Sequence, residues 1–296
     1  MKKKTGKIDL HMHTTVSDGT DTPEELLANV RKAGLDVFSA TDHDSIMTGD
    51  RISALLEEDD PLFITGVEFS CRDEEGKYHI LGYGYDPEAD AIFSITDKGH
   101  ALRMKKTWDR LVFLEKEFGF EFGDEEVYEL LGRDNPGKPH IAKLMVEHGY
   151  ASSIKEAIDK YIDQKRFPNV YIRPEEAIRA IEESGGISVL AHPSYGSGNE
   201  LIVGREMDER LQRLTAMGLR GVEAYYSGFT LKLQEEILAF ASEYDLYVTA
   251  GSDYHGQNKM IEIGDNNLES VDGAAEGLKR FLKDVRIISG AEKKKH

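Results

Sequence analysis

The stretch KIDLHMH, residues 7–13, is a strand-like run ending in two histidines, and the pattern that follows it decides the fold. PEELLANVRKAG (23–34) has helical spacing, DVFSAT (36–41) reads as extended, GDRISALLEE (49–58) is helical again, and LFITGVEF (62–69) returns to a strand pattern. The order is βαβαβ. Thr22 as cap, Pro23 at the first helical position, Glu24 and Glu25 in the first turn and Gly34 as the stop all delimit the same helix. A fourth strand-like run covers 78–85, after which residues 94–162 are almost purely helical and rich in charge. Helices are then expected over 174–184, 207–217, 231–244 and 273–283, and strands over 187–192, 221–226 and 246–251. Repeated βα units imply an α/β protein with a parallel sheet and outer helices, and their number favours a closed or distorted barrel. The expected division is a barrel from 1–93 and 171–296 with an inserted helical subdomain over 94–170.

Composition bounds the function classes. The chain has 296 residues, 40% of them hydrophobic, enough for one sizeable core. MKKKTGK is basic but runs into a strand-like segment without an apolar region, so no secretory signal is expected, and no later run is long and apolar enough to span a bilayer. Cys71 is the single cysteine, so no intrachain disulfide can form and a cytoplasmic protein is the expectation. A formal charge of −18 argues against a surface that wraps duplex DNA. Bound cations would change that locally, because three divalent ions add about six positive charges at one spot.

Of the ten histidines, six stand at a strand end or in a short motif: His11, His13, His43, His79, His192 and His255. His11 and His13 are two apart on an extended segment, so their side chains share one face and can grip one ion. Thr41-Asp42-His43-Asp44 follows the second strand, and Gly66-Val67-Glu68 lies in the third with a carboxylate costly to bury unpaired. Asp42 either orients a histidine or caps the following turn. His79 opens the run HILGY, where a core histidine is the plain alternative. Ala191-His192-Pro193 and Gly251-Ser252-Asp253-Tyr254-His255 end two later strands, the last with D-x-H spacing. In a parallel barrel all strand C-termini face one end, so these residues converge.

DLHMHT, SDGT, ATDHD, GVE, HILGY, AHP and GSDYH together resemble the polymerase and histidinol phosphatase (PHP) superfamily, over residues 9 to 255. Within it, the helical insertion and Lys138-Pro139-His140-Ile141-Ala142, similar to an R-P-H-I-A motif, resemble the stand-alone phosphoesterases acting on nucleotides and short RNA. Lys138 in place of arginine keeps the charge but loses the bidentate fork. The resemblance implies a distorted (β/α)7-type barrel with a trinuclear site. One ion would take His11, His13, Glu68 and Asp253; a second would share Glu68 and add His79 and His192; a third would take Asp18, His43 and His255. Mn, Fe or Zn is expected, since the donors are imidazoles and carboxylates, and Cys71 reads as core.

The implied activity is hydrolysis of phosphate monoesters or diesters by a metal-activated hydroxide, with His192 or His255 assisting proton transfer. The implied substrate is a small phosphorylated molecule, such as AMP or a short oligonucleotide. Arg103, Lys138 and His140 are the candidate phosphate contacts from the insertion. His140 could instead be a helix N-terminal residue satisfied locally. Trp108 could stack on a base, but its helical spacing from Leu111 and Val112 favours the core. Tyr195 is a candidate pocket wall, and Glu223 a candidate for orienting neighbouring groups. Two rival readings are an amidohydrolase-like C–N hydrolase, which has no use for Asp18 and His43, and a non-catalytic metal-binding regulatory module, which would not need the full ligand set.

Overall fold

A computed structural model describes residues 6–167, 170–195 and 200–291. The elements come in the order β1 (Ile8–Asp9), α1 (Pro23–Ala33), β2 (Val37–Phe38), α2 (Met47–Leu55), β3 (Leu62–Phe63), β4 (Gly66–Arg72) and β5 (Lys77–Tyr83). Next follow α3 (Asp90–Phe118), α4 (Asp124–Leu131), α5 (Lys138–Glu147) and α6 (Ile154–Glu156), which runs into a π-helical turn at Ala157–Tyr161 and a 3-10 turn at Ile162–Gln164. Then come α7 (Pro174–Glu183), β6 (Ile187–Leu190), α8 (Gly204–Ala216), β7 (Gly221–Tyr226), α9 (Leu231–Glu243), β8 (Tyr247–Gly251) and α10 (Glu276–Asp284). In α1 the punctuation read from sequence operates as written. Thr22 accepts from the Glu25 N–H, the Glu25 carboxylate accepts from the Thr22 N–H, and Gly34 takes φ 72°, where a side chain would be strained.

The strands form two sheets, β1-β2-β3 and β4-β5-β6-β7-β8. Both seams are closed by the segments that run on from the strands. The Leu10 N–H donates to the Ala250 carbonyl at 2.9 Å and Met12 pairs with Tyr254, while His43 pairs with Glu68. The single strand expected over 62–69 is broken at Ile64 and Thr65, so β3 pairs with β2 and β4 enters the other sheet. Together they occupy one stave of a distorted barrel.

The parallel arrangement expected throughout is corrected in one place. β5 is antiparallel to both β4 and β6, whereas β6, β7 and β8 are parallel. The reason is the length of the β4–β5 connection, residues 73–76, too short for a crossover. The Asp73 carboxylate closes it by accepting from the N–H groups of Glu75 and Gly76.

The main core lies between sheet and outer helices. In it Phe281 of α10 meets Tyr83 edge-on at 5.4 Å, both fully buried, a burial of about 1.5–3 kcal/mol per such side chain. A separate apolar cluster around Leu114, Leu130, Ile141 and Met145 joins α3, α4 and α5. α3 begins at Asp90, earlier than the periodicity suggested, because its first turns bury Ile92 and Ile95 in the main core. Among the described residues no helix is long and apolar enough to cross a membrane.

Candidate metal centre

Pleating delivers the first side chains. His11 and His13 follow β1 two residues apart and point the same way, both fully buried. Glu68, in β4, is 1% exposed and sits among five imidazoles. Its Oε2 lies 3.5 Å from His11 Nε2, 3.3 Å from His13 Nε2 and 3.0 Å from His43 Nδ1. Its Oε1 lies 2.8 Å from His79 Nδ1 and 3.3 Å from His192 Nε2. His79 arrives from the start of β5 and not from a strand C-terminus; the reversed direction of that strand brings its N-terminal end to the same mouth. Asp253 Oδ1 lies 3.6 Å from His11, 3.4 Å from His13 and 3.4 Å from His255. Asp18 Oδ1 lies 3.3 Å from His255 Nε2 and 3.8 Å from His13 Nδ1. The nine residues singled out as ligands therefore meet in one place.

The positions are held from behind. Glu223, fully buried, accepts from His11 Nδ1 at 3.0 Å through Oε1 and from the His192 N–H at 2.8 Å through Oε2. The first bond sets the His11 tautomer, so that Nε2 presents its lone pair to the centre. A break in the β7–β8 register between Glu223 and Tyr225 accompanies this placement. Gly251 allows it, since a Cβ there would lie 2.2 Å from the His11 Cβ. Asp42 accepts from the Thr14 N–H at 2.8 Å, the Thr14 hydroxyl at 2.7 Å, the Ser17 N–H at 3.2 Å and the Thr48 hydroxyl. It thus pins the loop that carries Asp18. His192 at φ 28° and Asp253 at φ 59° occupy the left-handed region that non-glycine residues avoid. Tyr226 and Lys259 both donate to Asp253 Oδ2, at 3.0 and 2.5 Å. The sequence reading passed over Lys259, which no recognisable spacing distinguishes.

Packing so many titratable groups together separates their protonation. Burial alone would raise the Glu68 carboxyl, but the charges of His43, His79 and His11 hold it well below the usual range. Asp253 and Asp18 are likewise held well below theirs against burial, by His11 and Lys259 in one case and His43 and His255 in the other. Burial would depress His13, yet Asp253 and Glu68 push it up to about 9. His11 also ends well above its ordinary value, because Glu223, Glu68 and Asp253 outweigh its burial. Burial brings His79 down to about 3. His255 is lowered by burial and by the neighbouring His13.

Among the described residues four buried atoms at the centre, His11 Nε2, His13 Nε2, Asp18 Oδ1 and His43 Nδ1, have no hydrogen-bond partner. Such atoms are costly to strand, and cations held among them would satisfy them. Among the described residues three donor groups have their atoms within 4.8 Å of one another: His13, Asp18, His43 and His255; His11, His13 and Asp253; His43, Glu68 and His79. This nitrogen and oxygen donor set fits divalent ions of the Mn, Fe or Zn kind. Cys71 is buried, and burial raises its thiol well above the ordinary range, which suits a core residue and not a ligand.

The centre opens on a cleft of about 630 Å³ that is also lined by Pro139, Ile154 and Ile158 and by Gln257, Asn258 and Lys259. That is room for a nucleotide-sized molecule. None of the three candidate substrate contacts is among the residues that line the cleft, although Lys138 and His140 flank Pro139. Arg103 donates to Asp44 and to Ser70, Lys138 pairs with Asp163, and His140 Nδ1 accepts from the Gly137 N–H. Trp108 is 51% exposed in a groove with Phe120 and Phe122, not in the core as its spacing suggested. Tyr195 packs on Tyr226 and Phe229 and donates to the Gly228 carbonyl.

Residues 9–284 match the family model described as the PHP domain. A 5'-3' exoribonuclease of Haemophilus influenzae is 29% identical over 285 residues, covering 94% of this chain and 100% of its own. A phosphoribosyl 1,2-cyclic phosphate 1,2-diphosphodiesterase of Eggerthella lenta is 31% identical, covering 84% and 94%. A solved structure from Bifidobacterium adolescentis, provisionally described as a metal-dependent phosphoesterase, is 30% identical, with a TM-score of 0.78 over 94% of this chain and 96% of that one.

Proposed function

This chain belongs to the PHP domain family, and from that membership we propose that it is a metal-dependent phosphoric ester hydrolase acting on nucleotides or short RNA at the Glu68 cluster. One observation carries the reading. Glu68 lies within 3.5 Å of five imidazoles, while four central ligand atoms lack hydrogen-bond partners among the described residues. The proposed ligands are His11, His13, Asp18, His43, Glu68, His79, His192, Asp253 and His255, holding three ions whose identity is Mn, Fe or Zn. Cations held there supply Lewis acidity and the positive charge that a phosphate requires.

The chain's own residues do the rest. Glu223 fixes the orientation of His11 and the backbone of His192, and Asp42 fixes the loop of Asp18. Hydrolysis places a water oxygen on phosphorus, breaks the ester P–O bond and leaves an alkoxide that needs a proton. The attacking water gives up a proton that the alkoxide takes; His192 and His255 both line the cleft, and we assign the transfer to whichever of them is not fully committed to an ion. Pro139, Ile154 and Ile158 offer an apolar wall to a base or ribose. On this reading 94–170 is a substrate-binding insertion in the barrel of 1–93 and 171–296, with Lys138 and His140 of α5 and Arg103 of α3 near the bound phosphate. Cytoplasmic residence belongs to the same proposal.

The test is phosphate release by Mn²⁺-loaded protein from nucleoside monophosphates, nucleoside bisphosphates, histidinol phosphate and short RNA. Turnover of a nucleotide or RNA, lost in Asp253→Ala with the fold retained, is the expected result. Equal rates in wild type and variant would reject the site.

A further inference from the structure

A second pocket, of about 280 Å³, lies beside the cleft and is lined by seven Lys or Arg side chains and one carboxylate, Asp163. In a chain of formal charge −18 that local excess is the reverse of the average. The usual account of such residues is a solvated helix face, but Lys106 and Arg110 of α3 are each only 7% exposed. Lys106 lies over the Tyr171 ring at 3.7 Å, and Arg110 Nε is buried without a hydrogen-bond partner among the described residues. Among the described residues Lys138 alone of the seven has an ion-pair partner, Asp163. Burial, then the charges of Arg103, Arg110 and Lys77, drive the Lys106 ammonium well below its ordinary range. Buried cations that outnumber their counter-charges are costly, and an anion offsets that cost.

The residues lining this pocket and those lining the metal cleft do not overlap, but neighbouring residues of the same elements line both. On the β4–β5 ladder Ser70 stands opposite His79 and Arg72 opposite Lys77, so Arg72 and Lys77 face the same side one pleat repeat, about 7 Å, further along. Lys138 of the pocket precedes Pro139 of the cleft wall, and Asp163 follows the turn that carries Ile158. We propose that this pocket binds a second phosphate group of the substrate, one that is not hydrolysed while the scissile phosphate lies at the Glu68 cluster. This rests on the phosphoesterase reading of the cleft. The chemistry is shared by two sources: the other monoester phosphate of a nucleoside bisphosphate, and the next phosphodiester of a short RNA.

The experiment compares kcat/KM of the Mn²⁺-loaded full chain for a nucleoside monophosphate, the corresponding bisphosphate and a 5'-phosphorylated dinucleotide. The variants are Lys106→Gln and, because a buried change can disturb folding, the more accessible Arg72→Gln. A loss of tenfold or more on the bisphosphate or the dinucleotide, with the monophosphate within twofold, is expected, and whichever substrate suffers identifies the source. Equal loss on all three, or no loss on any, overturns the proposal. Should wild type hydrolyse nothing, the phosphoesterase reading falls separately. Calorimetric binding of the bisphosphate, tenfold weaker in the variants, then still supports the pocket, and equal binding overturns it.

Discussion

Replacing Glu223 by glutamine removes one charge and almost no volume, from a side chain that touches no cleft surface. Its two oxygens each accept one N–H in a site with 0% exposure, from His11 Nδ1 at 3.0 Å and from the His192 backbone at 2.8 Å. An amide keeps one acceptor oxygen, so its NH₂ must face one of those N–H groups. One charge-assisted hydrogen bond is lost, about 1.5–3 kcal/mol, and a donor is left against a donor. Freed from Glu223, His11 can turn or adopt the other tautomer, and losing such an orienting carboxylate typically weakens metal binding about 10- to 100-fold, or about 1.4–2.7 kcal/mol. The assay is competition for Mn²⁺ or Zn²⁺ against a chromophoric chelator, alongside urea unfolding of the metal-free protein. Metal affinity within twofold of wild type would refute the role given to Glu223.

Asp42→Ala should destabilise the metal-free chain by about 3–5 kcal/mol, because it strands a buried network of Thr14, Ser17 and Thr48 donors; an unchanged urea midpoint would contradict this. Metal loading should release protons at neutral pH. His13, pushed up to about 9, and His11, also raised, carry protons that must leave before their nitrogens bind a cation, whereas His79, brought down to about 3, has none to lose. Affinity should therefore climb with pH through about 9, where His13 gives up its proton. Titration of the unbuffered protein with metal in the presence of an indicator dye should show about two protons per chain, and none would count against the cluster.

The parts of this site that could be read in the sequence are those governed by local geometry. His11 and His13, or Asp253 and His255, are two residues apart on extended chain, and that spacing alone sets them on one face. The reversal of β5 does not show in the periodicity of the 62–69 and 78–85 runs, which is the same in either direction; it follows from residues 73–76, which leave room only for a tight turn. His79 still reached the cluster, by its position at the start of that reversed strand. The break at Ile64 and Thr65 lies inside an unbroken apolar run, so no composition change announces it. Trp108 shows the limit of helical spacing, which groups residues on a face without telling whether anything packs there. Glu223 was legible as a strand-end carboxylate but not as the partner of His11, since that depends on the cross-strand register of β7 and β8. The basic pocket draws on β4, β5, α3, α5 and the segment after the π-helical turn, a convergence that no linear motif encodes.

The central claim is that the Glu68 cluster holds several divalent ions and that they are required for phosphoester hydrolysis. Plasma emission analysis of purified protein, in parallel with phosphate release from a nucleotide, tests it directly. More than one ion per chain, approaching three, is expected, with activity abolished on chelation and restored on reloading. A single ion per chain, or full activity in the metal-stripped protein, would contradict it.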